Sequence, residues 1–133
     1  MADDLIKYES PFVLAVDIGS SSVKVGLFDA LAQSVPGVEE TVSHRQTVAS
    51  DGTSEEDADQ IRNTVELAID RVLANAGGLA AQIAGVGFDS MASTIVGVDA
   101  AGDPLTPVYT YADTRSAPDV ERLRNELNVP LVY

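Results

Sequence analysis

Two short stretches carry residue types that can do chemistry. The first is "DIGSSSVKVG", in which Asp17 is followed by Gly19, Ser20, Ser21, Ser22 and Lys24. Three successive serines offer N–H and O–H donors. Gly19 lets a ligand approach the backbone closely, and a concave row of such donors binds phosphate. The competing reading is a plain polar hairpin loop, because a short Gly-Ser pattern is weak evidence by itself. Lys24 adds a positive charge unless strand alternation aims it elsewhere. The second stretch is "GVGFDSMASTIVGVDAAGDPLTPVYTYADTR". An apolar run ends there in a polar knot, Asp89, Ser90, Met91, Ala92 and Ser93, and the chain later returns with Tyr111, Asp113 and Arg115. Open α/β sheets take their ligands at the carboxyl ends of their strands. The bland alternatives are a turn-forming Asp89-Ser90 pair, a packing role for Met91, an edge-strand Tyr111, and Asp113 as a helix-start carboxylate with Arg115 as its surface partner.

The elements that must position these residues follow from hydrophobic patterning. Residues 1–11 read as a loose leader. Residues 12–16 form a continuous apolar run, the mark of a strand buried on both faces. Val23, Val25, Leu27 and Phe28 make a second strand. Val35-Pro36-Gly37 reads as a breaker, and residues 38–48 alternate well enough for a third strand, with His44 on its surface. A helix is expected from Thr53, with Thr53 and Glu56 as a capping box and the acidic run 55–59 as its solvated start. Its apolar face is Ala58, Ile61, Val65, Ala68, Ile69, Val72 and Leu73, and Gly77-Gly78 stops it. Residues 83–88 predict a fourth, buried strand and residues 95–98 a fifth. Residues 107–111 are short and extended. Residues 116–127 predict a second helix, ended by Asn128 and Pro130.

Composition narrows the function. The chain has 133 residues, enough for one domain with a core, and a net charge of −13. That charge argues against nucleic acid and anionic membrane surfaces as partners. It leaves room for an anionic small ligand, because backbone N–H groups bind phosphate on an acidic protein. The sequence has no Cys and one His, so neither a disulfide nor a thiolate or multi-histidine zinc site is available. No apolar run approaches the ~18 residues of a membrane span, and no secretory h-region is present. A soluble, cytoplasmic protein is expected.

Three meandering strands, a helix crossover and a further strand make the start of a ribonuclease-H-like α/β fold. This is the mixed sheet with flanking helices of actin- and hexokinase-type ATPases. In such a fold the turn after the first strand lies over the ligand cleft. Asp17, at the end of that strand, is then placed to hold a magnesium-bound water, since magnesium keeps several waters and takes few protein ligands.

The same motifs resemble the N-terminal part of the FGGY family of carbohydrate kinases. "AVDIGSSSVKVGLFD" is similar to that family's first phosphate loop, and "FDSMAS" stands where the family has its sugar-contacting turn. "GVDAAGDPLTPVYTYADTR" is similar to the stretch running from a strand through Asp-x-x-Gly-x-Pro to Trp-x-Asp-x-Arg, and "DGTSEEDADQIRN" to the linker into the first long helix. The resemblance implies an N-terminal sugar-kinase lobe over residues 12–133, with ATP and Mg2+ as cofactors and a sugar or sugar acid as substrate. It allows a homodimer of the full-length protein. It implies phosphate binding by Gly19, Ser20, Ser21, Ser22 and Lys24, metal binding through water by Asp17, and sugar binding or framing by Asp89, Ser90, Met91, Ala92, Tyr111, Asp113 and Arg115. Family members are several times longer, so the general base and the adenosine pocket are expected downstream and this stretch alone is expected to be inactive. Ala92 stands where many members have His, and Tyr111 where many have Trp, which leaves the sugar open. An actin-like nucleotide-binding scaffold of the pilus- or division-assembly type shares the first loop and is the alternative.

Overall fold

A computed structural model describes residues 8–127 of the chain. Leader residues 1–7 and the expected helix stop at Asn128 and Pro130 lie outside the described residues. The sheet that carries the site has four strands, in the order β3 (Ser34–Ser43), β2 (Ser22–Phe28), β1 (Phe12–Ile18), β6 (Ile83–Ser90). Strands β1 and β2 form a hairpin, and β3 continues the meander. Helix α1 (Ala58–Ala76) then crosses over to β6, which pairs with β1 in parallel. A smaller sheet, in the order β4-β5-β7, is built from β4 (Thr47–Val48), β5 (Ser54–Glu56) and β7 (Val108–Tyr109). Helix α2 (Ala117–Leu127) ends the described chain.

The core lies between one face of the large sheet and α1. Phe12, Leu14 and Val16 alternate inward from β1, and Val23, Val25 and Leu27 from β2, against Ala68, Val72 and Ala76 of the helix. Small residues on α1 let its backbone approach the sheet, while the bulk is supplied by the strands. The other sheet face is open among the described residues, with Val13 exposed on it. On the helix side, Val86 and Phe88 pair with Leu14 and Val16 but are exposed at the sheet edge. This corrects two expectations. Strand β1 is buried on one face only, and β6 is exposed almost throughout, because α1 covers β1, β2 and β3 and leaves β6 at the edge.

Other boundaries also differ. Pro36 and Gly37 do not break β3. The strand sits at a sheet edge, where a missing N–H is tolerated, and its register against β2 shifts between Gly26 and Phe28, with Gly37 at φ +78°. The expected strand over 38–48 is thereby two strands in two sheets. Residues 95–98 form single bridges, Ile95 to Tyr109 and Val98 to Pro104, rather than a strand. Within the leader, Tyr8 packs on the core and the Glu9 carbonyl accepts from the Ala30 N–H. The buried Asp29 carboxylate accepts from the Leu31 and Gln33 N–H groups at 2.9 and 2.8 Å.

Helix α1 starts four residues later than its capping box suggests. Asp57 is the cap: its side chain accepts from the Gln60 N–H at 2.8 Å. Thr53 instead donates its hydroxyl to Asp51, and residues 54–56 are a strand. The stop falls as expected, at Gly77 with φ +54°. Asp57→Ala is therefore expected to cost about 1 kcal/mol of stability, and Leu27→Ala, at a fully buried position, about 3 kcal/mol. Urea denaturation of the two variants checks both, and an unchanged midpoint for Asp57→Ala would remove it as the cap.

Candidate functional site

The β1–β2 turn is closed by the Gly19 N–H donating to the Ser22 carbonyl at 3.0 Å. A Cβ at position 19 would lie 3.2 Å from that carbonyl oxygen, so glycine is what lets the turn close this tightly. Parallel pairing sets Asp17 of β1 beside Asp89 of β6 and Ile18 beside Ser90, so the serine loop and the polar knot leave the sheet at the same end. A cleft of about 350 Å³ lies between them. Asp17, Gly19 and Ser20 line it from one side, and Ser90, Met91, Ala92, Ser93 and Tyr111 from the other.

Not every expected residue lines this cleft. Lys24 is the cross-strand partner of Asp17 and projects onto the open sheet face, with Nζ 3.9 Å from Asp17 Oδ2. Strand alternation thus aims it away from the serine loop. Asp89 lines that same open face, and its Oδ1 accepts from the Ser90 N–H at 2.9 Å. Ser21 and Ser22 serve the turn through their carbonyls, Ser21 accepting from the His44 N–H and Ser22 from Gly19.

Asp113 and Arg115 lie in an adjoining cavity of about 620 Å³ that shares Ser93 and Tyr111 with the first. They are on a turn rather than an extended segment, and they bind each other. Arg115 Nη2 donates to Asp113 Oδ2 at 2.6 Å, and Nε reaches both carboxylate oxygens at 3.1 and 3.0 Å. Asp113 Oδ2 also accepts from the Ser54 N–H at 3.0 Å. Arg115 Nη2 donates to Glu55 at 2.7 Å, and the guanidinium carbon sits 5.4 Å from the centre of the Tyr109 ring. The Arg115 side chain, and after it the Ser54 N–H, hold the Asp113 carboxyl well below its ordinary value of 3.8. Asp113 and Glu55 in turn hold Arg115 charged. Gly52 is part of this junction. Its φ is +95°, its carbonyl accepts from the Thr114 N–H, and a Cβ there would meet Thr114 Oγ1 at 2.4 Å.

Sequence patterning missed three contributors. His44 is not on the surface: its side chain and that of Glu56 are each 1% exposed. Nδ1 of His44 lies 2.5 Å from Oε2 of Glu56, and Nε2 lies 2.9 Å from the Gly19 carbonyl oxygen. A signal existed, because the inward phase of Val38 and Val42 on β3 continues to His44. Glu56 was absorbed into the capping box. The third is Gln46, whose amide donates to both Ser54 Oγ and Thr110 Oγ1, at 2.7 and 2.9 Å. Among the described residues no group of three or more His, Asp or Glu side chains is arranged to enclose a metal.

A four-stranded mixed sheet, entered by a hairpin and completed by a helix crossover with a polar loop on each side of its cleft, has the topology of the entry half of a ribonuclease-H-like lobe. Residues 12–133 match the family model described as the FGGY family of carbohydrate kinases, N-terminal domain, and the chain belongs to that family. It is similar to a glycerol kinase of Alcanivorax borkumensis, at 31% identity over 87% of this chain and 23% of the relative. It is also similar to a xylulose kinase of Streptomyces coelicolor, at 31% identity over 90% of this chain and 23% of the relative. Among solved structures it superposes on a xyloylose kinase from Brucella ovis with a TM-score of 0.79 and 25% identity, over 88% of this chain and 24% of that one. The chain thus spans about a quarter of the length of the relatives it matches.

The depressed Asp113 carboxyl ties stability to pH. A group ionised more readily when folded stabilises the fold above its unfolded value, and loses that contribution as acid protonates it. Asp113→Asn is expected to lower the melting temperature near pH 7, with the gap to the wild type narrowing as the pH falls from about 4 to about 2. A gap independent of pH would show that the carboxylate charge plays no part in the junction.

Proposed function

We propose that this domain supplies the phosphate-handling side and part of the acceptor side of an ATP-dependent kinase. The reaction transfers the γ-phosphoryl of ATP to a hydroxyl of a polyol, sugar or sugar acid. The observation that carries this reading is the single cleft lined by Asp17, Gly19 and Ser20 together with Ser90, Met91, Ala92 and Tyr111. Relatives named glycerol kinase, gluconokinase and xylulose kinase supply the acceptor class. Family membership across residues 12–133 favours the kinase over an actin-like scaffold.

Phosphoryl transfer needs positioning and charge neutralisation more than covalent help from the protein. In this reading the Ser20 N–H and hydroxyl donate to the phosphoryl oxygens. The donor set suits Mg2+: a half-exposed carboxylate at Asp17, with no enclosing cluster, fits an ion that keeps most of its waters. Bound there, Mg2+ would offset phosphate charge. Lys24 acts through Asp17 rather than on phosphate. On the acceptor side the Tyr111 ring gives the sugar a flat apolar surface, and Ser90 offers a hydroxyl. Arg115 is pre-aligned by Asp113, whose carboxylate is already engaged, so Asp113 frames the acceptor site. Asp89 shapes the same strand end. Among the described residues, Asp17 is the only carboxylate lining the cleft. We therefore assign the base that takes the acceptor proton to a part of the kinase outside this domain.

In the full-length kinase, Asp17→Asn is expected to lower kcat by about 100-fold and to leave the acceptor KM within about threefold. Steady-state assays with glycerol, xylulose and gluconate as acceptors check this and identify the substrate class. A kcat within about threefold of wild type would make Asp17 a strand-end residue only. The 133-residue chain by itself is expected to phosphorylate none of the three.

A further inference from the structure

The serine loop is gripped from beneath by one residue at two points. The His44 backbone N–H donates to the Ser21 carbonyl at 3.1 Å, and His44 Nε2 lies 2.9 Å from the Gly19 carbonyl oxygen. A carbonyl oxygen only accepts, so Nε2 must carry a proton in this contact. On the far side of the ring, Nδ1 meets Glu56 Oε2 at 2.5 Å. Both side chains are 1% exposed, and among the described residues the carboxylate makes no other hydrogen bond. Glu56 thereby fixes which way the ring faces. The Nε2–H remains in place whether the remaining proton of the pair sits on Nδ1 or on the carboxylate.

Peptide geometry turns this contact into a statement about the cleft. In a trans peptide the C=O and the following N–H point in opposite directions. With the Gly19 carbonyl drawn to His44, the Ser20 N–H points away from it. Gly19 and Ser20 line the cleft and His44 does not. If the Gly19–Ser20 peptide turned over, a carbonyl would replace the N–H on that side. A site that takes phosphate would then present a negative dipole to it.

We propose that the buried His44–Glu56 pair is a positioning device, which holds the Gly19–Ser20 peptide with its carbonyl inward and its N–H on the anion-binding side. What the loop binds rests on the kinase reading, whereas the peptide orientation is testable in the ligand-free chain. The pair also joins the two halves of the site. Glu56 follows Glu55, which holds Arg115, and Ser54, which holds Asp113, so the three residues of β5 touch both sides.

The test is solution NMR on the 133-residue chain. In the wild type, the His44 ring is expected to show a slowly exchanging Nε2 proton. In His44→Phe, which keeps a ring and loses the donor, the Gly19 amide is expected to exchange at least about tenfold faster, after correction for any change at Val16 and Val25. The Ser20 N–H residual dipolar coupling is expected to collapse toward its averaged value. His44→Gln restores a donor near the Nε2 position and is expected to bring Gly19 exchange back to within about threefold of wild type. An unprotonated Nε2 in the wild type would overturn the proposal, and that measurement stands even if His44→Phe does not fold. An unchanged Ser20 coupling in a destabilised His44→Phe would also overturn it, reducing the pair to packing. Failure of the kinase reading would appear in the acceptor assays and leave these couplings as they are.

Discussion

The parallel pairing of β1 with β6 is the constraint that makes one site out of two distant loops. Register places Asp17 beside Asp89 and Ile18 beside Ser90, so the serine loop and the polar knot emerge side by side. Parallel neighbours cannot be joined by a hairpin; they require a crossover, and α1 is that crossover. Its small inward residues Ala68, Val72 and Ala76 seat it on β1, β2 and β3. Loss of that seating would leave two well-formed loops with no cleft between them. The energetics of the core and the geometry of the site are therefore one problem in this domain.

A second, smaller tie sets the loops once the sheet has placed them. Strand β5 has three residues, and each makes a contact outside its own sheet. Ser54 binds Asp113 and Thr110, Glu55 binds Arg115, and Glu56 meets His44. Such a short strand has little stability of its own, so these side-chain contacts are what hold it. Buried polar pairs rarely exceed an apolar substitute in stability, yet removing one partner costs about 3–5 kcal/mol. That asymmetry suits a device whose value lies in orientation rather than in net stabilisation.

Much of this was legible from residue patterning, and the failures share a cause. A continuous apolar run found β1, alternation found β2, three-four periodicity found α1 and α2, and Gly77 marked the end of α1, because those signals are local. The helix start was misplaced because Thr53 and Glu56 fit a local motif. Their actual partners, Asp51 and His44, are set by the turn at Gly52 and by the end of β3. Strand β6 looked buried because its composition is apolar, but burial depends on what lies across from it, and α1 does not reach that edge. At the site, the resemblance implied that Asp113 and Arg115 bind or frame a sugar. The turn at residues 110–113 instead closes them on each other. His44 was the costliest miss, since its alternation phase was visible and it was nonetheless placed on the strand surface.

The acidity of the chain gives this geometry its importance. With a net charge of −13, the domain as a whole repels the phosphates that its loop would take. The side-chain cations near the cleft do little to reverse this: Lys24 leans toward Asp17 on the open sheet face, and Arg115 is shared by two carboxylates. Attraction for an anion must then come from oriented N–H dipoles, from hydroxyls and from a bound cation. Dipoles differ from charges in one respect that matters here, because turning one over reverses its sign. A lysine-based phosphate site tolerates a loose loop, while a dipole-based site on an acidic protein does not. The close turn at Gly19 and the buried contact beneath it are the features that such a site requires.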